Sequence, residues 1–164
     1  MKIIYQLFVT GLLLGQSDFT FRNISVEDGL SESTVKVIFE DRQGFLYFGT
    51  ENGLDFYDGY RFRNYQMHSF DDASILGNKI SCIYEDSNNN VWVGTVLGVS
   101  KFEPNNRRFS RPIELASDVG LRISSPKTIA EDKNGNIWIN QLDNNRLFQF
   151  SPTQDTTFCM NCDK

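Results

Sequence analysis

Positive charge is scarce in this chain: 16 Lys and Arg stand against 21 Asp and Glu, a formal net charge of −5. Such a chain is not drawn to phosphate backbones or anionic lipid surfaces, which argues against nucleic acid as a partner. Histidine occurs once, at His68. Cysteine occurs three times, and an odd count does not make a complete disulfide framework. Cys82 lies in an apolar stretch and reads as a small buried hydrophobe. Cys159 and Cys162, in "CMNC", form either a close disulfide or half of a metal site. A metal would need two more soft ligands and none stands nearby, so neither metal nor cofactor is expected. No phosphate loop, nucleophile elbow or zinc signature is found. Proline is rare (4) and glycine frequent (12), which favours many turns in a folded protein over a disordered linker.

Long hydrophobic runs are also lacking, except at the start. "MKIIYQLFVTGLLLGQS" places Lys2 before an apolar run from Ile3 to Leu14 and closes on small or polar residues. That is the layout of a secretory signal peptide over residues 1–17, with Gly15 at −3 and cleavage after Ser17. The run is short for a membrane span of about twenty residues. Export to a periplasmic or other extracytoplasmic compartment is therefore expected.

What is present is a sentence written three times. "EDRQGFLYFGTENGLDFYDG" begins at Glu40, "EDSNNNVWVGTVLGVSKFEP" at Glu85, and "EDKNGNIWINQLDNNRLFQF" at Glu131. Gly49-Thr50 aligns with Gly94-Thr95, and Tyr47 with Trp92 and Trp138. The third copy carries two extra residues after its tryptophan and has Asn140-Gln141 in place of Gly-Thr. A period of 45 to 46 residues marks a repeat architecture. Within each unit, four short stretches are β-branched or aromatic and none has a helical period. Four strands per unit make one blade of a β-propeller. The expected fold is all-β: a partial β-propeller of three four-stranded antiparallel blades in an open arc, at about 33–66, 78–112 and 124–162. Residues 18–32 would form a lone strand, Phe19–Ile24, and a lead-in.

The repeat also assigns structural roles. Asp41, Asp86 and Asp132 open the turns between strands one and two, where the side chain can bond the backbone two residues on. Position four of each turn requires a left-handed residue, supplied by Gly44, Asn89 and Gly135. Gly49 and Gly94 are expected to bend the chain between strands two and three. Tyr47, Trp92 and Trp138 are expected as packing mass between blades. Glu40, Glu85 and Glu131 recur in every unit, as structural groups do; a catalytic acid is needed only once or twice.

The motif "EDSNNNVWVGTVLGVSKFEP" resembles the two-component regulator propeller repeat. The segment "FTFRNISVEDGLSESTVKVIFEDRQGFLYFGTENGLDFYDGYRF" looks like the start of the periplasmic sensor region of Bacteroidetes-type hybrid two-component systems. The resemblance implies a longer protein with further blades, a β-sandwich, one membrane helix and kinase domains beyond Lys164. It implies an inner-membrane-anchored sensor, a glycan-derived ligand such as an oligosaccharide, signalling to a kinase absent from these 164 residues, and a homodimer at full length. The chain reads as an N-terminal fragment, unstable as a monomer by itself. It would not itself be an enzyme. Loops at 67–78 and 116–125 are the candidate recognition face, with Tyr65, His68, Phe70, Asp71 and Asp72 as candidate ligand contacts. The alternatives are a stand-alone exported propeller for protein interaction or adhesion, and a fragment of a propeller polysaccharide lyase or glycosidase.

Overall fold

The computed structural model describes residues 20–111, 123–141, 145–154 and 156–160. The leader expected at residues 1–17 lies outside them, as does most of the 116–125 loop. Twelve strands make three four-stranded antiparallel sheets, each running in chain order. Blade one holds β1 (Val35–Glu40), β2 (Leu46–Thr50), β3 (Leu54–Tyr57) and β4 (Phe62–Tyr65). Blade two holds β5 (Ile80–Glu85), β6 (Val91–Thr95), β7 (Gly98–Glu103) and β8 (Arg108–Ser110). Blade three holds β9 (Pro126–Glu131), β10 (Ile137–Gln141), β11 (Arg146–Ser151) and β12 (Thr156–Met160). The single helical element among the described residues is one 3-10 turn at Val26–Asp28. The fold is the all-β propeller arc that the repeat implies.

The same register recurs in all three blades. Val35, Ile80 and Pro126 pair with Thr50, Thr95 and Gln141, and each first pair of strands has one irregularity beside this position. The two extra residues of the third copy fall between β10 and β11. There Gln141 pairs with Arg146, whereas Thr95 pairs with Gly98 in blade two.

Two apolar clusters join the blades. Tyr47, Leu54 and Phe56 of blade one pack against Val91, Val93 and Phe102 of blade two. Trp92, Cys82 and Val99 of blade two pack against Ile129, Ile137, Ile139, Phe148 and Phe150 of blade three. A sheet alternates its side chains, so each middle blade can bury one face forwards and the other backwards. β5 touches both β1 and β9, which puts the first strands on the inside of the arc. One buried aliphatic precedes each first strand: Leu30, Ile75 and Ile123.

Of the expected strand Phe19–Ile24, residues 20–24 are described and form no strand. A strand exists only against a partner, and no described strand pairs with this one. The chain turns instead through the 3-10 element, capped by Ser25, whose backbone N–H donates to Asp28 Oδ2 (2.9 Å). It then lies on blade one. Ser31 donates its backbone N–H to Asp55 (2.9 Å), and Asn64 donates to the Gly29 carbonyl (3.0 Å).

Candidate functional site

The repeated residues form a latch at each turn. Asp41 Oδ1 accepts the backbone N–H groups of Gln43 (3.0 Å) and Phe45 (2.9 Å), and its Oδ2 accepts the Tyr47 hydroxyl (3.1 Å). Asp86 holds Asn88 and Asn90 in the same way and accepts the Trp92 indole N–H at 2.8 Å. Asp132 holds Asn134 and Asn136 and accepts the Trp138 indole N–H at 3.0 Å. The aromatic six residues after the aspartate thus needs a polar hydrogen, which Tyr and Trp have and Phe lacks. Sequence reading missed this handle, although the recurrence of Tyr, Trp, Trp at a slot that never holds Phe was the signal. Those bonds, with the Trp138 indole first, hold the Asp132 carboxyl well below the usual carboxylate range. Burial pushes the Tyr47 phenol far up. Turn position four is left-handed throughout: Gly44 at φ 84°, Asn89 at 63°, Gly135 at 81°.

Gly49 and Gly94 do not bend the chain. Both lie inside strands, without positive φ. A Cβ on Gly49 would stand 2.6 Å from Ile80 Cγ2, and one on Gly94 would stand 2.5 Å from Cys82 Sγ and 2.6 Å from Pro126 Cγ. The next blade's first strand crosses there, and that approach excludes a side chain. Thr50 and Thr95 make the turn: each hydroxyl donates to the carbonyl of Gly53 or Gly98 (2.9 and 3.1 Å).

The glutamates tie each blade to the one before it. Glu85 accepts the backbone N–H of Arg42 (3.0 Å), and Glu131 accepts that of Ser87 (2.7 Å) and its hydroxyl (2.6 Å). Glu40 is exposed. Trp92 is buried against Phe150 (5.8 Å between rings) and Tyr47 against Phe102 (6.3 Å). Trp138 is only half-buried, because its face of blade three meets no described blade. Cys82 is buried and free, its thiol pushed up to about 11 by burial. Cys159 is disulfide-bonded.

The five loop candidates do not form one cluster. His68, Phe70, Asp71 and Asp72 are exposed on the connection between β4 and β5. Asp71 Oδ1 accepts the backbone N–H of Ala73 (2.9 Å), Asp72 pairs with Arg111 (3.3 Å), and the His68 backbone N–H donates to Ser74 Oγ (3.0 Å). Tyr65 turns away from them into the gap between blades, 5.1 Å from the Phe102 ring and 5.5 Å from Phe109.

A cleft of about 170 Å³ opens in that gap. Blade one supplies Phe45, Phe56, Arg63 and Tyr65; blade two supplies Phe102 and Arg107. The Arg63 guanidinium stands over the Phe56 ring (5.9 Å) and reaches Asp58 at 3.8 Å. The Asp58 carboxyl accepts the backbone N–H groups of Arg61 (2.9 Å) and Tyr60 (3.0 Å). Those bonds hold it below the usual range. Burial raises the Tyr65 phenol, while Arg107 and Arg63 draw it back down. No sequence motif marked this cleft, since its walls come from different blades.

Comparison with known proteins follows this geometry. The two component regulator propeller family model matches residues 29–52 and 74–96, which carry the entry segments, latches and Gly-Thr turns of blades one and two. Histidine kinase P4 of Formosa agariphila is 36% identical over 73 residues, which is 44% of this chain and 5% of that protein. The extracellular domain assigned to a hybrid two component system of B. thetaiotaomicron shares the fold, with a TM-score of 0.55 and 20% identity; the match covers 85% of this chain and 26% of that one. A streptogramin B lyase shares it at a TM-score of 0.53 and 18% identity, over 77% of this chain and 40% of that one. The chain thus spans only a small part of these relatives. Among the described residues no helix is long and apolar enough to cross a membrane. In fold this chain is a β-propeller arc, and its first two blades are similar to the two component regulator propeller repeat.

Proposed function

We propose that the chain is part of the extracytoplasmic ligand-sensing propeller of a hybrid two-component sensor. It responds to a glycan-derived ligand and passes occupancy to a histidine kinase elsewhere in a longer, inner-membrane-anchored and homodimeric protein. The leader-like residues 1–17 support export. The observation that carries the reading is the family match on the latched turns of two successive blades, in a chain that aligns with a histidine kinase. The recurring carboxylates do not suggest catalysis in the described blades. Asp41, Asp86 and Asp132 are engaged by their turns, and Glu85 and Glu131 by the preceding blade. The lyase likeness lies in fold alone, and one fold hosts many activities.

The test is a transcriptional reporter in the native host, challenged with a panel of polysaccharide digests. One digest is expected to induce the reporter, and in-frame removal of residues 33–160 is expected to abolish induction. Unchanged induction after that removal would overturn the reading.

A further inference from the structure

We propose that the cleft between blades one and two binds an acidic saccharide unit, its carboxylate or sulfate held by Arg63, Arg107 and the Tyr65 hydroxyl and its apolar ring face laid on Phe45. Three observations converge. Arg107 adopts φ 58°, in the left-handed region that costs a side chain with a Cβ. Its turn, "EPNNRR", holds two asparagines that would tolerate that geometry more cheaply, yet the strained position carries arginine. The Arg107 N–H donates to the Glu103 carbonyl (2.8 Å), so the strained backbone is fixed and aims the side chain at the cleft it lines.

Second, the donors there are unspent. The Arg107 guanidinium forms no ion pair or hydrogen bond among the described residues, and the Tyr65 hydroxyl donates to none. Arg63 has only the 3.8 Å approach to Asp58, which Arg61 shares at 3.6 Å. Two guanidinium forks and a phenol are the donor set that planar or tetrahedral oxyanions take. Third, Phe45 gives the cleft a part-exposed aromatic face, with the buried Phe56 and Phe102 behind it and Gln43, Asp58, Pro104 and Asn105 completing the wall. Aromatic faces cover the C–H faces of a sugar ring. At about 170 Å³ the cleft is smaller than the roughly 300–1,000 Å³ of drug-sized sites, which suits one sugar unit. Because its walls belong to two blades, occupancy would also tie those blades together.

The choice of a saccharide rests on the sensory reading above. The test is separable from it, because binding to the chain is read without any signalling output. Side-chain Nε–Hε resonances are followed by NMR, in the longer protein carried through its final blade, during titration with D-glucuronate, D-glucose 6-sulfate, D-glucose and acetate. At least one of the two acids is expected to bind about tenfold or more tightly than glucose and than acetate, shifting Arg63 and Arg107; the tighter acid identifies carboxylate or sulfate as the group recognised. Arg107→Gly is expected to remove that preference while leaving the thermal midpoint unchanged or higher, since glycine accepts φ 58° freely. Arg107→Lys, which keeps the charge, is expected to retain part of it. Equal binding of glucose, equal binding of acetate, or full retention of the preference in Arg107→Gly would each overturn the site.

Discussion

The Tyr47 side chain shows how much one polar atom carries. Its ring fills the gap between blades and its hydroxyl satisfies Asp41. Tyr47→Phe keeps the ring and removes the donor, leaving a buried carboxylate oxygen short of a partner. It is expected to cost about 1–3 kcal/mol, read from the urea midpoint. The latch of blade three adds a pH dependence. The folded Asp132 carboxyl lies below its ordinary 3.8, so its contribution is complete above that value and is lost as pH falls towards the depressed folded value. Urea titrations between about pH 5 and pH 2 should show stability falling in the parent and a flatter acid limb in Asp132→Asn. At the alkaline end the sign is opposite. The raised Tyr47 phenol favours the folded state only while protonated, so that support falls away above its ordinary value of 10.0.

At the scale of the strand, close approach decides what the sequence can hold. The Gly-Thr pair looked like a turn device, and half of it is: the threonine hydroxyl closes the turn. The glycine instead makes room for the next blade. Gly94→Ala would press its methyl into Cys82 and Pro126, and is expected to cost about 1–3 kcal/mol by urea unfolding. Asn140 already fills the equivalent slot in β10, half-exposed, so Asn140→Ala should change stability by no more than about 0.5 kcal/mol. Equal losses at both positions would contradict the close-approach account.

Across the whole molecule, equal repeat positions have unequal surroundings. Ile129 is buried between blades two and three, while Ile38, its counterpart in β1, is 66% exposed. Ile129→Ala is expected to cost about 2–5 kcal/mol and Ile38→Ala well under 1 kcal/mol. Glu85→Ala should likewise cost more than Glu40→Ala, because only Glu85 holds a neighbouring turn. Urea unfolding of the four variants tests the arrangement as a set; matched losses within each pair would mean that the blades do not stack in this order.

The sequence by itself determined the blades. Period, turn chemistry and strand alternation are local, and each turn needs only its own aspartate, its left-handed residue and its aromatic. That is why the three sheets and the left-handed Asn89 were legible without coordinates. What crosses between blades was not. The ties from Glu85 to Arg42 and from Glu131 to Ser87 join residues 43 and 44 positions apart. The role of Gly49 is set by Ile80, and the cleft borrows Arg107 from the blade after Tyr65. Likewise Tyr65 faces the blade gap, away from the loop residues beside it in sequence. Local patterns repeat along the chain and can be read there. The distance between two blades is fixed only when their side chains meet, and that was decided by the tertiary structure.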